Sequence, residues 1–74
     1  MSRPNAAAHL KIRRLERERA GRLLDLETYA LEYAATAHEG VPLQWQADAT
    51  RRMQGAAIEL AKAASALDRE RLLG

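Results

Sequence analysis

The stretch His38-Glu39-Gly40-Val41-Pro42 decides how this chain folds. It carries helix-stop signals in order: a histidine suited to a last turn, a glycine suited to the left-handed residue after a helix, and a proline two residues on that cannot continue one. On either side lie long runs rich in Ala, Leu, Arg and Glu, all strong helix formers. Upstream, Asn5 is a suitable N-cap before Ala6, Ala7 and Ala8, and no proline intervenes as far as Ala37. Downstream, Pro42 suits a first helical position, with Asp48 or Thr50 as caps for a later start. The reading is one all-α domain over residues 1–74: a helix over about 5–38, a turn at 39–42 and a helix over about 43–72. Gly21 is a weak point of the first helix, suited to a kink or to close approach of another backbone.

Five connecting residues make the helices antiparallel neighbours. At 100° per residue, Ala8, Ile12, Leu15, Arg19, Leu23, Leu26, Ala30, Tyr33 and Ala37 share one stripe of the first helix. Trp45, Ala49, Met53, Ala56, Ala57, Leu60, Ala63, Ala64 and Leu67 share one stripe of the second. These stripes are expected to face each other, with Leu26 near Ala56, Leu15 near Leu67 and Trp45 plugging the turn end. Arg19 interrupts the first stripe and is expected to lay its stem on apolar surface while its guanidinium reaches solvent or Glu59. His38 is expected to cap the first helix through its dipole.

A chain of 74 residues rarely gains more than roughly 3–5 kcal/mol from one core without a staple. Cysteine is absent, which removes disulfides and thiolate metal sites, and His9 and His38 lie far apart, so no metal or other cofactor is expected. Sixteen alanines and no phenylalanine favour close helix approach and a shallow core. Completion of the hairpin into a bundle, by dimerisation or by a partner, is therefore expected.

No run approaches the ~20 apolar residues of a membrane span, and the start Met-Ser-Arg-Pro lacks a signal-peptide apolar core. A soluble cytoplasmic protein without membrane contact is expected. The net charge of +2 hides segregation. Residues 1–22 hold seven Lys/Arg against two Glu, residues 23–50 hold five acids and no Lys or Arg, and residues 51–74 hold five basic groups against three acidic. The basic start lies beside the end of the second helix, where Asp68 and Glu70 are in reach of Arg13, Arg14 or Arg17. Asp25, Glu27 and Glu32 face Arg51 and Arg52 in the same scheme. Exposed pairs of this kind contribute about 0–1 kcal/mol each.

Three surfaces remain for function. Leu10, Ala20, Leu24, Leu31 and Ala35 form a second apolar row opposite the core stripe, a candidate protein interface. Lys11, Arg13, Arg14, Arg17, Arg19 and Arg22, with Arg3 ahead of them, suit docking to an acidic protein surface or to nucleic acid. Glu16 and Glu18 among them, and the absence of a stacking aromatic, weigh against nucleic acid. Tyr33, Leu43 and Trp45 form a candidate recognition tip at the turn. A helix-turn-helix reader is disfavoured, because the helices are too long and a supporting third helix is missing.

A phosphate loop, a nucleophile–base pair and a cavity to desolvate substrate are all lacking, so neither an enzyme nor a small-molecule substrate is expected. The expectation is a small interaction module, an adaptor or inhibitor of a size common among phage and mobile-element products, that binds a larger protein or complex or a second copy of itself. Two alternatives stay open: a dimeric nucleic-acid-binding regulator using the basic helix, and a structural subunit of a large assembly.

Overall fold

The computed structural model describes residues 6–73 of the chain. Arg3 and the expected cap Asn5 lie outside them. Two helices, α1 (Ala6–Thr36) and α2 (Leu43–Leu73), run 31 residues each, about 46 Å at 1.5 Å per residue. They pack side by side as an all-α antiparallel hairpin.

α1 stops two residues before the sequence signals suggest. The Thr36 hydroxyl donates to the Tyr33 carbonyl at 2.8 Å, and the Ala37 N–H donates to the Ala34 carbonyl at 3.2 Å, tightening the last turn. His38 therefore falls outside the helix and does not cap it. Its carbonyl instead accepts from the Val41 N–H at 3.3 Å across a separate reverse turn. Gly40 takes φ +92° there, which side-chain-bearing residues rarely adopt. Pro42 sits just ahead of α2 rather than inside it, and its carbonyl accepts from the N–H groups of Trp45 and Gln46. Neither Asp48 nor Thr50 begins the helix; the Thr50 hydroxyl donates back to the Gln46 carbonyl at 2.9 Å.

The seam between the helices departs from the sequence stripes in an ordered way. On α1 a line of half-buried residues runs Ala8, Ile12, Leu15, Arg19, Arg22, Leu26, Tyr29, Tyr33 and Thr36, alternately four and three apart, with Ala30 half-buried beside it. On α2 the line is Gln46, Ala49, Met53, Ala56, Leu60, Ala63, Leu67 and Glu70 in the same rhythm, with Asp48, Thr50, Ala64 and Ala66 half-buried beside it. The two lines keep a seven-residue repeat, the pattern of helices packed in coiled-coil fashion. A straight helix drifts by about 20° per heptad against it. From the third heptad onward the seam has slipped by one residue at its ends, so Arg22 and Thr36 stand where Leu23 and Ala37 were expected, while Tyr29 is half-buried beside the expected Ala30. Leu23 and Ala37 are exposed. At the turn end Gln46 replaces Trp45 in the seam, and Trp45 is 63% exposed rather than a core plug. Ala57, also expected inside, is exposed.

Among the described residues Ala49, Ala56, Ala63 and Leu67, all on α2, are buried. Ala49, Ala56 and Ala63 recur every seven residues, and their lack of bulk lets the helix axes come close. The register follows from two pairs that cross between helices, Lys11 with Glu70 at 2.7 Å and Glu32 with Arg52 at 3.7 Å. It sets Tyr33 level with Ala49, Leu26 with Ala56 and Arg19 with Ala63. Each alanine thus meets a large side chain of α1, while Leu15 lies level with Leu67, which is 0% exposed.

Candidate interaction surfaces

Heptad position sorts every outward residue. Writing the seam as a and d, the outermost position f of α1 carries Leu10, Arg17, Leu24 and Leu31, with Ala20 and Ala35 on either side of that line. Leu10, Leu24 and Leu31 are 68%, 63% and 72% exposed. The row expected as an interface is therefore a continuous outer face of α1, opposite the seam.

The six basic residues do not act as one group. Arg13, Arg14 and Arg17 occupy positions b, c and f, the same outer face as the leucines, and make no ion pair among the described residues. Lys11 is drawn sideways to Glu70, and Arg22 holds Asp25 at 3.6 Å while half-buried at the seam. Arg19 is half-buried at position a and has no carboxylate partner among the described residues. Its suggested partner Glu59 meets Lys62 at 3.4 Å instead. The expected pairing of Glu70 with an arginine is likewise corrected, since Lys11 takes it. Of the two basic residues placed beside the acidic segment, Arg52 reaches Glu32 and Arg51 pairs within its own helix with Asp48 at 3.4 Å.

The recognition tip separates. Tyr33 lies half-buried in the seam, Leu43 is exposed at the start of α2, and Trp45 lines a shallow groove of about 470 Å³ between Glu32, Thr36, Asp48 and Arg52. Gly21 and Gly55 face open space, so neither is needed for close approach within the hairpin.

The sequence stripes also hide an asymmetry between the two flanks of the seam. The five ion pairs of the described residues involve positions c, d, f and g and lie on one flank or its outer edge. The other flank holds none of these pairs; its e positions carry His9, Glu16, Leu23, Ala30 and Ala37 on α1 and Leu43, Thr50, Ala57, Ala64 and Arg71 on α2, so its middle is uncharged and its charges lie toward the open end. Position e follows a by only about 40° around the helix, so the a residues Leu26, Tyr33, Met53 and Leu60 lean toward this flank. All four are only half-buried. Counting by period 3.5 instead of 3.6 would have revealed this face.

Among the described residues no helix is long and apolar enough to cross a membrane, and no group of three or more His, Asp or Glu side chains could hold a metal. No protein-family model, curated protein or solved structure matches the chain.

Proposed function

We propose that the hairpin is a non-enzymatic interaction module, an adaptor or inhibitor, that lays the outer face of α1 into an apolar groove of a larger protein rimmed with acidic groups. The observation that carries this reading is the joining of leucines and unpaired arginines on one face: Leu10, Leu24 and Leu31 with Arg13, Arg14 and Arg17. Recognition of an amphipathic helix by a groove uses anchors spaced by whole turns, and Leu24 and Leu31 are seven apart. Arginine side chains at the edge of such an interface speed encounter with an acidic partner and set orientation more than they add affinity. Affinity capture from the native host tests the reading. Leu24→Asp combined with Leu31→Asp is expected to abolish capture with helicity retained; undiminished capture would count against it.

The same three unpaired arginines favour a second reading, contact with nucleic-acid phosphates. Three such contacts on duplex DNA give a slope of log K against log salt of about −2.7. Binding with that slope, lost when Arg13, Arg14 and Arg17 become Glu, would favour it; absence of binding to DNA and RNA at low salt would remove it.

A further inference from the structure

The flank without ion pairs, not the outer leucine row, points to a second copy of this chain. We infer that two hairpins associate flank to flank as an antiparallel twofold dimer, a four-helix bundle, with the axis crossing α1 at Leu23. Three observations support this occupant over a foreign one.

The first is area. The chain exposes 6067 Å², whereas a globular chain of 8.2 kDa exposes about 4,500 Å². The surplus exceeds the roughly 800 Å² that each partner contributes to a standard interface. Leu23, 45% exposed, and the half-buried Leu26, Met53 and Leu60 gather along the flank that such an interface would bury.

Charge along the rod supplies the second. Residues 6–22 and 60–73, at the open end, hold nine Lys/Arg and four Asp/Glu. Residues 23–59, at the turn end, hold six Asp/Glu and two Arg. An antiparallel pair sets each +5 end beside a −4 end, whereas a parallel pair sets like beside like. The molecule is thus complementary to its own reversed copy, as a twofold interface requires.

Unpartnered side chains give the third. Arg19 and Glu27 flank Leu23 four residues to either side, and neither has an ion pair among the described residues. Arg19 stands at position a, leaning toward the flank without ion pairs, and Glu27 at position b borders it. A twofold axis at Leu23 brings Arg19 of one copy level with Glu27 of the other, and symmetry makes the pair twice. It gives the half-buried guanidinium the carboxylate that its own chain withholds.

The proposal concerns a different flank from the leucine row, so the two readings fail separately. Sedimentation equilibrium at low salt, from about 1 to 100 µM, at or above the micromolar-to-picomolar dissociation constants of standard-sized interfaces, is expected to show twice the 8.2 kDa chain mass. Leu23→Glu is expected to give a monomer. Arg19→Glu and Glu27→Arg are each expected to weaken the dimer by about tenfold or more, and the double swap to recover it to within about threefold, because both charges of the pair are then reversed. The Leu24→Asp, Leu31→Asp variant is expected to stay dimeric while losing partner capture. A wild-type monomer throughout, an assembly other than a dimer, indifference to Leu23→Glu, or a double swap no tighter than its parents would each overturn the proposal and leave the partner-docking reading standing.

Discussion

Leu67 has no solvent exposure, and replacing it with alanine is the sharpest test of the seam. Leu-to-Ala changes in protein cores cost about 2.7–5 kcal/mol, the lower values where neighbours can collapse into the space. Here the molecule is a two-helix rod whose Cα positions extend only 14 and 11 Å across its long axis. Partial collapse is therefore easy, and about 3 kcal/mol is the expected loss. That is most of the roughly 3–5 kcal/mol available to a core of this size. With an unfolding entropy of about 2 cal/mol/K per residue over 74 residues, it lowers the melting temperature by about 20 °C. Urea unfolding followed by far-UV circular dichroism, at one matched protein concentration, measures the loss directly. A drop below about 1 kcal/mol with unchanged denaturant slope would mean that Leu67 does not sit in a packed layer, and the register drawn from Lys11–Glu70 and Glu32–Arg52 would be wrong.

Further substitutions probe the same architecture. Ala56→Leu places a large side chain at a buried position of the seam and is expected to cost about 1–3 kcal/mol, while Ala61→Leu on the outer face of α2 changes stability by under about 0.5 kcal/mol in parallel urea titrations. Arg22→Leu replaces a half-buried guanidinium at the seam and is expected to raise the denaturation midpoint by the equivalent of about 1 kcal/mol; no gain would argue for the 3.6-residue stripe that passes through Leu23. Gly21→Ala and Gly55→Ala, where an added Cβ meets nothing within 4 Å, are each expected to stabilise by about 0.5–1 kcal/mol in thermal melts. Gly40→Ala, at φ +92°, is expected to destabilise by about 1 kcal/mol.

Much of this molecule is legible in local chemistry, because helix propensity and chain-breaking residues act over a few residues. The runs around Gly40 and Pro42 are sufficient for two long helices and an antiparallel return, and the spacing of Leu26 with Ala56 and Leu15 with Leu67 is sufficient for the approximate register. The outer leucine row is readable for the same reason: Leu10, Leu24 and Leu31 lie far from the core stripe on either count of the period. What single-helix geometry could not supply is the seven-residue repeat of the seam. Whether Arg22 or Leu23 turns inward depends on how the partner helix packs against α1, and Ala49, Ala56 and Ala63 make close, seven-residue packing favourable. That choice belongs to the pair of helices, not to either alone.

The same distinction divides the functional surfaces. Clustering of Lys11, Arg13, Arg14, Arg17, Arg19 and Arg22 is visible in the sequence, but their fates are tertiary. Lys11 is claimed by Glu70 from the other helix, Arg19 and Arg22 are turned into the seam, and only Arg13, Arg14 and Arg17 join the leucines outside. Trp45, an obvious core residue by chemistry, is left outside because the heptad register gives its place to Gln46. The sequence by itself determined the helices, the turn and the segregation of charge, all of which follow from neighbours along the chain. The tertiary structure alone decided which flank carries the ion pairs and which is left without them, with Leu23, Leu26, Met53 and Leu60 along it. A rotation of one residue in helical phase, set by the fit of one helix against another, moves side chains between those flanks.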